Sequence, residues 1–147
     1  MDLFAELKRV AVLLIDDDEW VRDSLSIFFE SEGCSIVALE TAEAGLTALK
    51  KHNYGVIIAD YRLPGMNGLQ FLESVNQMAV SPQPIKILIT AYGSDRVLRE
   101  VERLGIDDFI AKPFSTSTLL ESLRKQMENF RHNQQRGAIT VEKWDSV

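Results

Sequence analysis

Cysteine and histidine are scarce in this chain: one cysteine, Cys34, and two histidines, His52 and His132, among 147 residues. A lone cysteine excludes an intrachain disulfide, and three such residues scattered along the chain form no zinc-type ligand cluster, so any metal must be held by oxygen. Long apolar runs are missing as well. The longest, Val10 to Ile15, falls far short of the roughly 18 to 20 residues that cross a bilayer. The opening residues Met1 to Glu6 lack the basic start and apolar core of a secretory signal. Positive charge is in deficit: 16 Lys and Arg against 22 Asp and Glu leave a net charge of −6, a field that opposes contact with nucleic-acid backbones and anionic lipid. The expectation is a soluble, cytoplasmic protein with no direct nucleic-acid or membrane contact.

The apolar residues present, 46% of the chain, suffice for one globular core and little more. Val10 to Ile15 is a nearly continuous apolar run that stops at Asp16, Asp17 and Asp18, the pattern of a strand buried on both faces and ending where polar loops begin. Asp17 or Asp18 can cap a helix in which Trp20, Val21, Leu25, Ile27, Phe28 and Phe29 recur at helical spacing until Gly33. The alternation then repeats. Strands are expected at 35–39, 55–60, 85–89 and 108–111. Helices are expected from a Thr41 cap to about His52, around Leu69 to Val75, from Ser94 to Leu104, and from a Ser115 cap to about Arg131.

Five strands alternating with five helices through short loops imply right-handed crossovers and a parallel sheet covered on both faces. The expected fold class is α/β, a doubly wound five-stranded sheet in a three-layer sandwich of flavodoxin-like topology. Residues 1–9 read as an N-terminal lead, 10–131 as the domain, and 132–147 as a flexible tail in which Ile139 and Trp144 are candidates for docking on a partner.

In an open parallel sheet the ligand crevice lies beyond the carboxyl ends of the strands, where strand order reverses. Asp16 and Asp17 end the first strand, Asp60 the third, Thr90 the fourth and Lys112 the fifth. In the order 2-1-3-4-5, Asp16, Asp17 and Asp60 become neighbours. Three carboxylates so close repel one another unless a cation joins them. A hard divalent ion such as Mg2+, with Mn2+ as a substitute, takes one or two carboxylates and keeps positions for water and a phosphate oxygen. Lys112 adds a compact positive charge and Thr90 a hydroxyl donor. Carboxylate, metal, lysine and hydroxyl make a phosphoryl-transfer set, with Asp60 the candidate acceptor. Asp18 and Glu19 read as helix-capping residues outside that set.

These residues also carry a resemblance. VLLIDD at 12–17, VIIAD at 56–60 followed by LPGMNG at 63–68, ILITA at 87–91 and KPF at 112–114 resemble, in order and spacing, the CheY-like receiver domain of two-component response regulators over about residues 10–130. The resemblance implies that Asp60 accepts a phosphoryl group from a histidine kinase, a phosphotransfer protein or a small phosphodonor, with Mg2+ required. It implies further that Asp17 ligates the metal directly and Asp16 acts through water, and that the main-chain carbonyl of Arg62 is a third protein ligand. Thr90 and Phe109 match the switch positions, Lys112 matches the lysine that pairs with the phosphoryl group, and the Lys112–Pro113 bond resembles one that is cis in this family. Arg62 and Tyr92 match positions flanking the path of attacking water, and their bulk predicts slow self-dephosphorylation.

The same resemblance assigns a downstream protein target to the face made by the 94–104 helix, the last strand and the last helix. In the subfamily that dimerises there through paired charges, Asp107 and Asp108 have counterparts, but Leu98, Leu104, Thr118 and Ser122 stand where charged partners are needed. A monomer or weak dimer is expected. Two alternatives fit less well. A haloacid-dehalogenase-type phosphatase needs its nucleophile after the first strand and a cap domain, and no cap-sized insertion is present. A flavodoxin-type nucleotide site needs a glycine-rich loop where this chain has aspartates. The chain could also be the receiver fragment of a longer regulator whose output lies beyond Val147.

Overall fold

The computed structural model describes residues 1–91 and 93–136. Five parallel strands, β1 (Ala11–Ile15), β2 (Ser35–Leu39), β3 (Val56–Asp60), β4 (Ile85–Thr90) and β5 (Asp108–Ala111), form one sheet in the order β2-β1-β3-β4-β5. The expected strand order and doubly wound architecture are therefore present. Helices α2 (Glu19–Ser31), α3 (Ala42–Lys51), α4 (Gly68–Gln77), α5 (Asp95–Arg103) and α6 (Thr116–Arg136) connect or follow the strands. A short α1 (Leu3–Leu7) precedes them. Among the described residues, no helix is long and apolar enough to cross a membrane.

Local chemistry sets the helix starts. Asp18 caps α2 by accepting the Trp20 N–H at 2.9 Å, Thr41 caps α3, and Ser94 caps α5. Asn67 and Gln70 exchange side-chain and backbone hydrogen bonds at the start of α4, satisfying two donors that a helix end leaves open. Ser115 accepts the Thr118 N–H as α6 begins.

Alternating side chains of the three central strands feed two cores, one on each face of the sheet. Val12, Leu14, Ile58, Ile87 and Ile89 pack with Phe29 of α2 and with Leu119 and Leu123 of α6. Leu13, Ile15, Ile57 and Leu88 pack with Phe71 and Leu72 of α4 and Val97 of α5. β3 is buried along its whole length, whereas β2, at the sheet edge, is exposed at alternate residues. That contrast follows from covering a central strand on both faces.

Two segments differ from the sequence reading. The lead contains α1: Asp2 accepts the Ala5 N–H as its cap, and Leu3 and Leu7, spaced i and i+4, are buried in the core shared with α6. Five residues are too few to show a period, and this helix forms because its two leucines find that core. The last helix runs to Arg136, past the expected end near Arg131. The added residues are polar and lack a breaker, so nothing in them stops the helix. Tyr92, Ile139 and Trp144 lie outside the described residues.

Candidate functional site

Asp16 follows the last residue of β1, and its backbone N–H donates to the Leu39 carbonyl at 3.0 Å, holding it beside the end of β2. Its side chain is fully buried. Oδ1 accepts the Asp18 N–H at 2.9 Å and Oδ2 accepts from Lys112 Nζ at 3.3 Å. Arg22, one turn into α2, donates to the Asp16 carbonyl at 2.9 Å. Asp17 is exposed. Asp60 ends β3 and is 6% exposed, and Lys112 Nζ is 3.3 Å from its Oδ2 as well. One lysine thus bridges the two buried carboxylates, and carboxylate oxygens of Asp16, Asp17 and Asp60 all lie within 4.8 Å of one another.

This crowding appears in the titration of Asp60. Burial first, then the charge of Asp16, push its carboxyl up to about 6, although Lys112 pulls the other way and Asp17 adds a smaller push. Burial disfavours the ammonium of Lys112, yet the attraction of Asp16 and Asp60 outweighs it and holds the group above its ordinary value. The set therefore has more negative charge than one lysine balances. Three converging hard oxygen donors with an uncompensated charge fit a divalent cation of the Mg2+ kind.

Thr90, at the end of β4, is buried, and its carbonyl accepts the Lys112 N–H at 2.8 Å, so the strand pairing sets Thr90 and Lys112 side by side. Register places Asp60 opposite Ile89. Phe109 in β5 is half-buried, and its ring lies close enough to Gly93 that a Cβ there would meet Cζ at 2.9 Å. That contact ties the aromatic position to the loop after Thr90. Arg62, with Asp17, Leu63 and Asn67, lines an open cleft of about 510 Å3 beside the carboxylates. The Lys112–Pro113 bond is cis, as is Ser81–Pro82.

The fold brings together every residue that the strand ends nominated. Sequence reasoning missed the supports around them. Glu43 of α3 accepts the Met66 N–H at 3.2 Å and so pins the loop that follows Asp60. Gly68 opens α4 directly against β3, where a Cβ would overlap the Asp60 carbonyl oxygen. The sequence shows the LPGMNG segment at 63–68, but the approach of Gly68 to Asp60 depends on chain folding. Asp107 and Asp108 are occupied within the chain: Asp107 accepts the Lys86 backbone N–H at 2.8 Å, and Asp108 accepts from Ser122 Oγ.

Residues 12–124 match the model of the response regulator receiver domain family. The chain is 34% identical over 120 residues to the transcriptional regulatory protein FixJ of Bradyrhizobium diazoefficiens, covering 80% of this chain and 58% of that protein. It is 33% identical to the C4-dicarboxylate transport transcriptional regulatory protein DctD of Rhizobium meliloti, covering 82% of this chain and 26% of that one. Among solved structures, a CheY-like receiver domain protein from Methanospirillum hungatei superposes with a TM-score of 0.75 at 28% identity, covering 82% of this chain and 94% of that chain. The chain belongs to the response regulator receiver family, and its role is that of a phosphoacceptor signalling domain in a two-component system. It spans little more than half of FixJ and about a quarter of DctD. Its fold is that of signalling proteins rather than of an enzyme family, and receiver domains interact with histidine kinases and generally bind Mg2+ at an acidic pocket.

Proposed function

We propose that Asp60 is the phosphoacceptor of this receiver, that Asp16, Asp17, Asp60 and the main-chain carbonyl of Arg62 hold Mg2+, and that Thr90, Lys112 and Phe109 convert phosphorylation into a surface change. The observation that carries this reading is Lys112 Nζ placed 3.3 Å from both Asp16 and Asp60, within a carboxylate cluster that a divalent ion fits. Bound Mg2+ supplies charge neutralisation for the incoming phosphoryl oxygens. An Asp60 oxygen forms the new O–P bond as the N–P bond of a kinase phosphohistidine breaks and the imidazole leaves with the electron pair. Lys112 then pairs with a phosphoryl oxygen, and the Thr90 hydroxyl donates to another. Movement of Thr90 into that contact frees space beside Gly93 and Phe109, shifting the population of the α5–β5–α6 face towards a partner-binding form.

The chain catalyses no turnover beyond its own phosphorylation and dephosphorylation in this reading, and it works in the cytoplasm beside its kinase. Arg62 at the cleft supports slow loss of the phosphoryl group by narrowing the water path. The internal hydrogen bonds of Asp107 and Asp108 support a monomer or weak dimer over a charge-paired one. The test is intact mass after treatment with a small phosphodonor, with and without Mg2+, on wild type and Asp60→Asn. One phosphoryl adduct that needs both Mg2+ and Asp60 is expected; labelling of the variant at another residue would overturn the assignment.

A further inference from the structure

The open cleft beside the carboxylates has walls of two different constructions. Asp17 stands on the turn after β1, and that turn is tied by its own neighbours. The Asp18 N–H donates to Asp16 Oδ1 at 2.9 Å, and Arg22 donates to the Asp16 carbonyl at 2.9 Å. The other wall is the loop of residues 61–67, which contributes Tyr61, Arg62, Leu63, Pro64 and Asn67. Its ends are fixed by the sheet and by α4: the Tyr61 N–H donates to the Ile89 carbonyl at 2.7 Å, the Gly68 N–H donates to the Tyr61 carbonyl at 2.9 Å, and Asn67 caps α4.

Between those ends, Leu63 and Met66 are partly buried against the core on that face of the sheet. Apolar contact of this kind is non-directional and does not set how the peptide groups of the loop are turned. A hydrogen bond does. The Met66 N–H donates at 3.2 Å to Oε2 of Glu43, which lies in the first turn of α3. The same oxygen sits over Gly65, where a Cβ would meet it at 2.8 Å, and Gly65 has φ 75°. The loop therefore takes a conformation at its tip that favours glycine, and a carboxylate from a separate helix closes over it.

We propose that Glu43 is a positioning residue for the metal: by holding Met66 it fixes the turn of the loop that presents the Arg62 carbonyl, and so raises the affinity for Mg2+. The inference rests on the reading that the Arg62 carbonyl completes the ligand set of the aspartates. Glu43 acts through the loop and not as a ligand; among the described residues, the carboxylates close enough together to share an ion are those of Asp16, Asp17 and Asp60. Linkage makes the effect reciprocal, so Mg2+ bound at the Arg62 carbonyl steadies the loop and strengthens the Glu43–Met66 bond. The negative charge of Glu43 also suits the amino end of α3, and two substitutions separate these roles. Glu43→Ala and Glu43→Gln both remove the charge, but glutamine keeps an oxygen that accepts the Met66 N–H.

The test is a Mg2+ titration of the whole chain without phosphodonor, followed by the backbone amide NMR signals of Asp17 and Arg62, with hydrogen exchange of the Met66 amide as a second readout. Glu43→Ala is expected to weaken Mg2+ binding about three- to tenfold, the size of one hydrogen bond, and Glu43→Gln to stay within about twofold of wild type. Exchange of the Met66 amide should slow on Mg2+ binding in wild type and in Glu43→Gln, and change little in Glu43→Ala. Wild-type affinity in Glu43→Ala, equal weakening in both variants, or Met66 exchange indifferent to Mg2+ in wild type would refute the proposal. Asp17→Asn is the control for the underlying reading. Wild-type Mg2+ affinity in that variant would refute the aspartate ligand set and this inference with it, whereas weakened binding there beside wild-type affinity in Glu43→Ala refutes the role of Glu43 alone.

Discussion

Asp60→Asn removes the acceptor and is expected to make the metal-free protein more stable. The Asp60 carboxyl is held at about 6 in the fold against an ordinary 3.8. Its folded value lies above its unfolded one, so its contribution to stability is fully present below the unfolded value and is lost as pH rises through about 6. At neutral pH both states are ionised, and the fold bears a penalty of ~3 kcal/mol for the charge, at about 1.4 kcal/mol for each tenfold change in proton affinity. Asparagine keeps the shape and carries no charge. Lys112 retains Asp16 at 3.3 Å as its partner. The variant should therefore gain ~2 to 3 kcal/mol near neutral pH in the presence of a chelator, a rise in Tm of about 5 to 10 °C for a chain of this size. The gain should shrink towards zero by about pH 4, where Asp60 is protonated in the folded wild type. Millimolar Mg2+ should narrow it by stabilising wild type more than variant. Paired thermal melts across pH, with and without Mg2+, make the measurement. A variant no more stable than wild type in chelator, or a gain that does not change with pH, would refute the electrostatic account of the site.

Lys112→Ala removes the cation that opposes the Asp16 charge, so the Asp60 carboxyl should titrate above about 6; an NMR titration of the carboxyl carbon that moves downward would contradict the assigned bridge. In the phosphorylated form of the same variant, backbone signals across residues 95–111 should stay near their unphosphorylated positions. Gly68→Ala forces a Cβ into the Asp60 carbonyl, and because the obstacle is backbone it should lower stability by about 1 to 3 kcal/mol and slow phosphorylation in mass-monitored time courses. Leu7→Ala should cost about 2 to 5 kcal/mol in denaturant unfolding, since the side chain is fully buried; a cost below ~1 kcal/mol would show α1 to be an ornament on the fold.

Much of this protein was legible because its sequence carries signals that act over a few residues. Apolar runs ending in Asp16 and Asp60, the caps Asp18, Thr41, Ser94 and Ser115, and the stop at Gly33 (φ 78°) each reflect near-neighbour chemistry, and together they specify a doubly wound sheet. Topology then carries the site, because parallel strands deliver all their carboxyl ends to one edge. Other features depend on groups distant in the chain. α1 is too short to show a period and exists through Leu3 and Leu7 meeting a core built by α6. Glu43 holds Met66 across 23 residues, and nothing local marks it. The neighbouring Asp16 and Asp17 are alike in sequence, yet one is sealed under Lys112 and the other faces the cleft. Propensity, capping and periodicity are short-range and can be read from the chain; burial, and with it the charge balance of Asp60, is set by which distant segments pack together and is decided by the tertiary structure.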